Sequence, residues 1–133
     1  MMPIDVVVAL LLRNGTVLMG ERVETKLYPL HWEFPGGKVE PSETGQQALV
    51  RELQEELGIT IGNSEGWFHE IATYSNGLTY SITYYLVREF TGEIENLEFN
   101  RIAFFDVGSL PNLIHLSGND RILAKLIAEG IPV

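Results

Sequence analysis

The sequence predicts a mixed α/β (α+β) protein in which a mixed sheet is held between helices. Three observations predict it. Val6 to Leu12 is an unbroken apolar run, which reads as a buried strand. Thr44 to Gly58 carries start and stop signals for one amphipathic helix. Between and after these, apolar and β-branched segments are cut by Asn-Gly and Thr-Gly turns, and the chain closes on a second amphipathic stretch. The resulting order is β-β-β-α-β-β-β-α.

Taken in order, Asp5 to Leu12 is the first strand. Arg13-Asn14-Gly15 follows as a turn, since Asn-Gly tolerates the backbone that a tight hairpin needs. Thr16 to Arg22 returns as the second strand, and Glu24 to Leu30 is a loop containing Pro29. Trp32-Glu33-Phe34 is a short strand stopped by Pro35-Gly36-Gly37, where the glycines open backbone geometry closed to other residues. Thr44 is placed to cap the first helix, and Gln47 completes a capping box. The helix runs from Gly45 to Leu57 and ends at Gly58. Leu49, Leu53 and Leu57 form its buried stripe, with Glu52, Glu55 and Glu56 on a separate face. Strands are expected near Glu65–Ser75, Thr79–Glu89 and Arg101–Val107. The last helix is expected over Asn119–Glu129, packing through Ile122, Leu123, Leu126 and Ile127.

The chain has 133 residues and a formal net charge of −9. That length suits one domain, expected over 1–133. The negative charge argues against a nucleic-acid polymer as partner, because backbone binding needs clustered Lys and Arg. It does not exclude a small phosphorylated substrate, whose charge a bound cation would offset. There is no cysteine, hence no disulfide framework and no thiolate zinc site. This is compatible with a cytoplasmic location. The apolar run near the N-terminus is too short to cross a membrane, so no membrane partner is expected.

The densest chemistry lies in Gly37 to Ile59, GKVEPSETGQQALVRELQEELGI. It sets Arg51, Glu52, Glu55 and Glu56 on one helix, with Glu43 just upstream. Carboxylates three and four residues apart share a helix face and repel one another. A divalent cation turns that repulsion into a binding site, and Mg2+ prefers such oxygen ligands. The three histidines, His31, His69 and His115, are scattered and offer no rival zinc cluster.

The fixed positions Gly37, Glu43, Arg51, Glu52, Leu53, Glu55, Glu56, Gly58 and Ile59 resemble the signature of the Nudix hydrolases without departure. The resemblance covers nearly the whole chain and implies the Nudix α/β/α sandwich with a central mixed sheet. It implies hydrolysis of a nucleoside diphosphate linked to another group, with Mg2+ or Mn2+ as cofactor. On that pattern Glu55 and Glu56 are metal ligands, and Glu52 is a general base or a metal ligand. Arg51 pairs with a neighbour such as Glu43 and orients the loop and helix. The Gly36 carbonyl and Glu98 match the places of further metal ligands in MutT-like members.

The stretch Trp32-Glu33-Phe34-Pro35-Gly36-Gly37-Lys38 also looks like the MutT branch, whose members cleave nucleoside triphosphates to a monophosphate and pyrophosphate. Arg22 and Asn119 stand where that branch holds the purine. Asn119 is equally a helix cap on its local sequence. Phe34 and either Tyr84 or Tyr85 could flank a base, with alternation allowing only one tyrosine to face the cleft. The loop Val23–Leu30 and the segment Phe90–Asn100 depart from the MutT pattern and shape the base pocket. An oxidised nucleotide such as 8-oxo-dGTP and a pyrimidine triphosphate are therefore both open. A nucleotide sugar or dinucleotide hydrolase, and a non-catalytic nucleotide sensor, are the alternatives. A monomer or homodimer is expected.

Overall fold

The computed structural model describes residues 2–133, so the first residue of the expected 1–133 span lies outside the described residues. The elements are β1 (Ile4–Arg13), β2 (Thr16–Glu21), β3 (Trp32–Glu33), β4 (Gly36–Lys38), α1 (Gly45–Leu57), β5 (Thr60–Ile61), β6 (Ser64–Thr73), β7 (Thr79–Val87), β8 (Phe90–Thr91), β9 (Arg101–Phe105) and α2 (Asp120–Glu129). Short 3-10 turns at Leu110–Asn112 and Ser117–Asn119 lead into α2.

The β1–β2 hairpin turns on Asn14 and Gly15, both with positive φ, as a two-residue loop between right-twisted strands requires. The main sheet runs β3-β2-β1-β7-β6, with β4 added to β1 and β9 to β2. Among the strand pairs of the described residues, β1 and β7 are parallel and the others antiparallel, so the sheet is mixed as expected.

Strand alternation then builds two cores. Leu10 and Leu12 of β1 and Ile82, Tyr84 and Leu86 of β7 face α2, meeting Ile122, Leu123 and Leu126. Val7, Ala9 and Leu11 of β1 face the other way, onto Leu49, Leu53 and Leu57 of α1. The three leucines are fully buried, each contributing roughly 1.5–3 kcal/mol of apolar burial. This is the helix–sheet–helix layering that the apolar pattern implied.

Helix α1 matches its sequence signals residue for residue. Thr44 accepts from the Gln47 amide, the Gln47 side chain accepts from the Thr44 amide, and Gly58 ends the helix in the left-handed conformation. Elsewhere the chain differs. Pro35 stops β3, but Gly36–Lys38 resumes as β4 against Val6–Val8 of β1. Gly36 has φ +154, and a Cβ there would strike the Val7 carbonyl, so only glycine lets the two backbones close. The β5–β8 ladder was also absent from the sequence reading. Ile127, expected to pack, is 44% exposed, because the sheet meets α2 only along the stripe of Ile122, Leu123 and Leu126.

Candidate functional site

Three pieces of backbone meet at the carboxylate cluster: β4, the turn before α1, and the face of α1 carrying Arg51 to Glu56. Arg51 is the hub. Its Nε donates to Glu43 Oε2 at 2.7 Å and its Nη2 to Glu43 Oε1 at 3.0 Å, a two-pronged pair. Its Nη1 donates to Glu52 Oε1 at 2.9 Å and to Glu55 Oε2 at 3.4 Å, and Nη2 also reaches the Lys38 carbonyl at 3.1 Å. Hydrogen bonding from Arg51 holds the Glu43 carboxyl below the usual carboxylate range. The same contacts, that with Glu43 foremost, raise the Arg51 guanidinium above its ordinary value.

Glu56 is buried, and the Gly36 amide donates to its Oε2 at 3.2 Å. Burial pushes its carboxyl well up from the usual range, and the adjoining Glu52 carboxyl reinforces the shift by hydrogen bonding and charge. A Cβ at Gly37 would occupy the space of the Glu52 carboxyl, so that glycine lets Glu52 lie against the backbone. Glu55 is the outermost of the set, with its side chain 59% exposed.

These groups fit a hard divalent cation. The donors are all oxygen, and two carboxyls are forced together at a partly buried point, where one is driven to keep its proton. Among the described residues, no three His, Cys, Asp or Glu side chains are already gathered around a single metal position. Gly36 reaches the cluster through its amide. Glu98, the other expected ligand, is paired with Lys26 and acts electrostatically on Glu33.

From Gly36 and Gly37 a cleft of about 860 Å³ runs outward between β1, β7 and the chain leading into α2. Arg22, Phe34, Tyr84 and Asn119, all singled out by sequence, line it, as do Glu33 and His115. A second hollow of about 480 Å³, beside Arg13, Phe90 and Phe104, holds none of the expected site residues.

Arg22 donates through Nη1 to Glu33 Oε2 at 3.0 Å and through Nε to the Leu27 carbonyl at 2.7 Å. Phe34 and Tyr84 are nearly buried, at 5% and 1% exposure, so they form wall rather than free platforms. Alternation places Tyr84 on the cleft side and Tyr85 among the residues packed with the α1 core. Asn119 holds the N-cap position of α2 without a side-chain capping bond, and its Nδ2 is buried without a partner.

Sequence reasoning missed Glu33 and His115. Glu33 accepts from Arg22 and acts electrostatically on Glu56, and burial raises its carboxyl despite Arg22. Its signal was a charge between two buried aromatics, Trp32 and Phe34. His115 Nε2 lies 2.7 Å from Asp120 Oδ1, and the backbone around it bridges to Trp32 at the sheet edge. No helix among the described residues is long and apolar enough to cross a membrane.

Comparison with known proteins agrees with this arrangement. The CTP pyrophosphohydrolase of Escherichia coli (strain K12) is 52% identical over 61 residues, 44% of this chain and 45% of that protein. The 8-oxo-dGTP diphosphatase of Haemophilus influenzae is 40% identical over 89 residues, 65% of each. Both matches thus span less than two thirds of the relative's length. The crystal structure of a MutT NUDIX hydrolase from Burkholderia pseudomallei superposes with a TM-score of 0.84 at 25% identity, covering 95% of this chain and 99% of that one. The NUDIX domain model matches residues 2–126, and the chain therefore belongs to the NUDIX family, among members similar to MutT.

Proposed function

We propose that the protein is a Mg2+- or Mn2+-dependent pyrophosphohydrolase that cleaves a nucleoside triphosphate to a monophosphate and pyrophosphate. The observation that carries this reading is the continuity of the carboxylate cluster, through Gly36 and Gly37, with a cleft large enough for a nucleotide.

Glu52, Glu55 and Glu56 would hold the cation, with the Gly36 carbonyl and Glu98 as further donors. The cation would offset phosphate charge and stabilise the leaving group. Glu52 would accept the proton of a water as the water oxygen attacks phosphorus, while the bridging P–O bond breaks and its electrons leave with the departing phosphate group. Arg51 and Glu43 would fix the carboxylates so that this alignment exists before substrate arrives. Arg22 and Asn119 would hold the base, with Phe34 and Tyr84 as apolar wall. The activities named for the Escherichia coli and Haemophilus influenzae relatives make cytosine and oxidised guanine the first bases to try. The reading implies a small soluble substrate and a cytoplasmic setting.

The test is hydrolysis of a panel with Mg2+, products separated by chromatography. The panel holds natural and oxidised nucleoside triphosphates, a nucleotide sugar and a dinucleoside polyphosphate. Monophosphate plus pyrophosphate from a triphosphate is expected. Cleavage of only the nucleotide sugar or dinucleotide would replace the substrate class, and no turnover of any member would count against catalysis.

A further inference from the structure

Two buried side-chain atoms among the described residues lack a hydrogen-bond partner: Glu70 Oε2 and Asn119 Nδ2. Such atoms are uncommon in folded proteins because each has given up water for nothing. One is an acceptor and the other a donor. They belong to two regions packed on one another. The Tyr74 hydroxyl, just past the end of β6, fills the space beside Gly118. Asp120 and Arg121, which follow Asn119, both act electrostatically on Glu70.

Glu70 stands behind the cleft wall. It is 6% exposed. On the sheet it lies opposite Ile82, a cleft residue, and the Tyr84 hydroxyl donates to its Oε1 at 3.5 Å. One oxygen is therefore engaged and the other has no partner, and the residues that follow Asn119 act electrostatically on this carboxyl. A carboxyl at an inward position of a strand is costly unless it is used.

We propose that Glu70 is a positioning residue for base selection: when a nucleotide binds, its free oxygen accepts from the Asn119 amide nitrogen and so turns the Asn119 carbonyl into the cleft. This rests on the nucleotide-hydrolase reading above. A carbonyl facing the cleft accepts and cannot donate. It selects a base that presents an amino group, cytosine over uracil and adenine over hypoxanthine.

The groups facing Glu70 are His69 on its own strand, Tyr84 on β7, Tyr74 beyond β6, and Asp120 and Arg121 on α2. Burial raises its carboxyl, while Arg121 and Tyr84 oppose the rise. Loss of its proton leaves both oxygens as acceptors, so selection sharpens as pH rises.

The test is the ratio of kcat/KM for CTP to that for UTP at pH 8. The wild type is expected to favour CTP at least tenfold. Glu70→Gln preserves size but, with its oxygen taken by Tyr84, turns an amide nitrogen toward Asn119. The Asn119 amide then flips, and the ratio falls at least tenfold. Glu70→Leu leaves Asn119 free and brings the ratio near one. A merely structural defect lowers both nucleotides alike, so an equal fall, or a Glu70→Gln ratio within twofold of wild type, overturns the inference. If Glu70→Leu does not fold, Glu70→Gln still decides. A second readout needs no turnover. The Asn119 side-chain amide protons, followed by nitrogen-15 NMR with a non-hydrolysable CTP analogue, should be protected in wild type and lose that protection in Glu70→Gln. Equal protection in both overturns the inference. A wild type that hydrolyses CTP and UTP equally well removes this inference alone, whereas one that hydrolyses no nucleotide removes the reading beneath it.

Discussion

At the carboxylate end of the cleft, Arg51 donates to Glu43, Glu52, Glu55 and the Lys38 carbonyl, whereas at the far end Asn119 Nδ2 and Glu70 Oε2 have no partner. Arg51 at the first end is fully engaged before any ligand arrives. The second carries donors and acceptors still to be met. On the proposed function, the difference follows the chemistry asked of each. A diphosphate presents the same charge and shape whatever nucleoside carries it, so its site can be built in advance. A base varies at its edge, and the groups that read it must be kept available. On the proposed reading, preorganisation belongs to the reacting end, and selection to the other.

The largest expected effect breaks the first end. Glu52→Gln keeps the shape of the side chain but cannot take a proton, and turnover should fall by about 10³-fold or more, within the range known for loss of a central catalytic group. The thermal midpoint should stay near wild type. A rate within tenfold of wild type would remove Glu52 from the chemistry.

Asn119→Ala breaks the other end. Base preference should change by about tenfold, the scale of one lost base-edge contact, while the Mg2+ concentration for half-maximal rate stays put. A nucleotide profile identical to wild type would mean that Asn119 does not read the base.

The smallest effect is on stability, and it has opposite signs for Glu43 and Glu70. The Glu43 carboxyl is lowered in the fold, mainly by Arg51, so its contribution is present at neutral pH and lost as pH falls through its folded value. The Glu70 carboxyl is raised, mainly by burial, so the fold binds its proton more tightly than the unfolded chain does. Stability from that group is greatest in acid and declines as pH rises through the raised value. Denaturant titrations across pH should therefore show a flatter acid limb in Glu43→Gln and a flatter limb toward neutrality in Glu70→Gln. The same slope change in both variants would deny the contrast.

The same division runs through what could be read from the sequence. Helix α1 was legible to the residue because its signals are local: Thr44 and Gln47 cap one another, Gly58 ends the helix, and three leucines repeat at one turn's spacing. Arg51 with Glu43 was legible for the same reason, since both lie within one turn-and-helix unit. Strand β4 was not, because Gly36–Lys38 becomes a strand only by pairing with Val6–Val8, far away in the chain. Glu33 and Glu70 were not singled out by the sequence. Only the assembled sheet tells that one acts on Glu56 and that the other is buried within electrostatic reach of Asp120 and Arg121. Asn119 reads as either cap or base contact from its sequence, and the structure places it at the cap position with no side-chain capping bond.

The claim on which the rest depends is that Glu52 and Glu56 form a cation site. Binding of Mn2+, read from the loss of its free signal in electron paramagnetic resonance, tests that without any substrate. Wild type should bind Mn2+, and Glu56→Gln should bind it at least tenfold more weakly while remaining folded. Equal affinity in the two proteins, or no binding by wild type at millimolar Mn2+, would contradict the account.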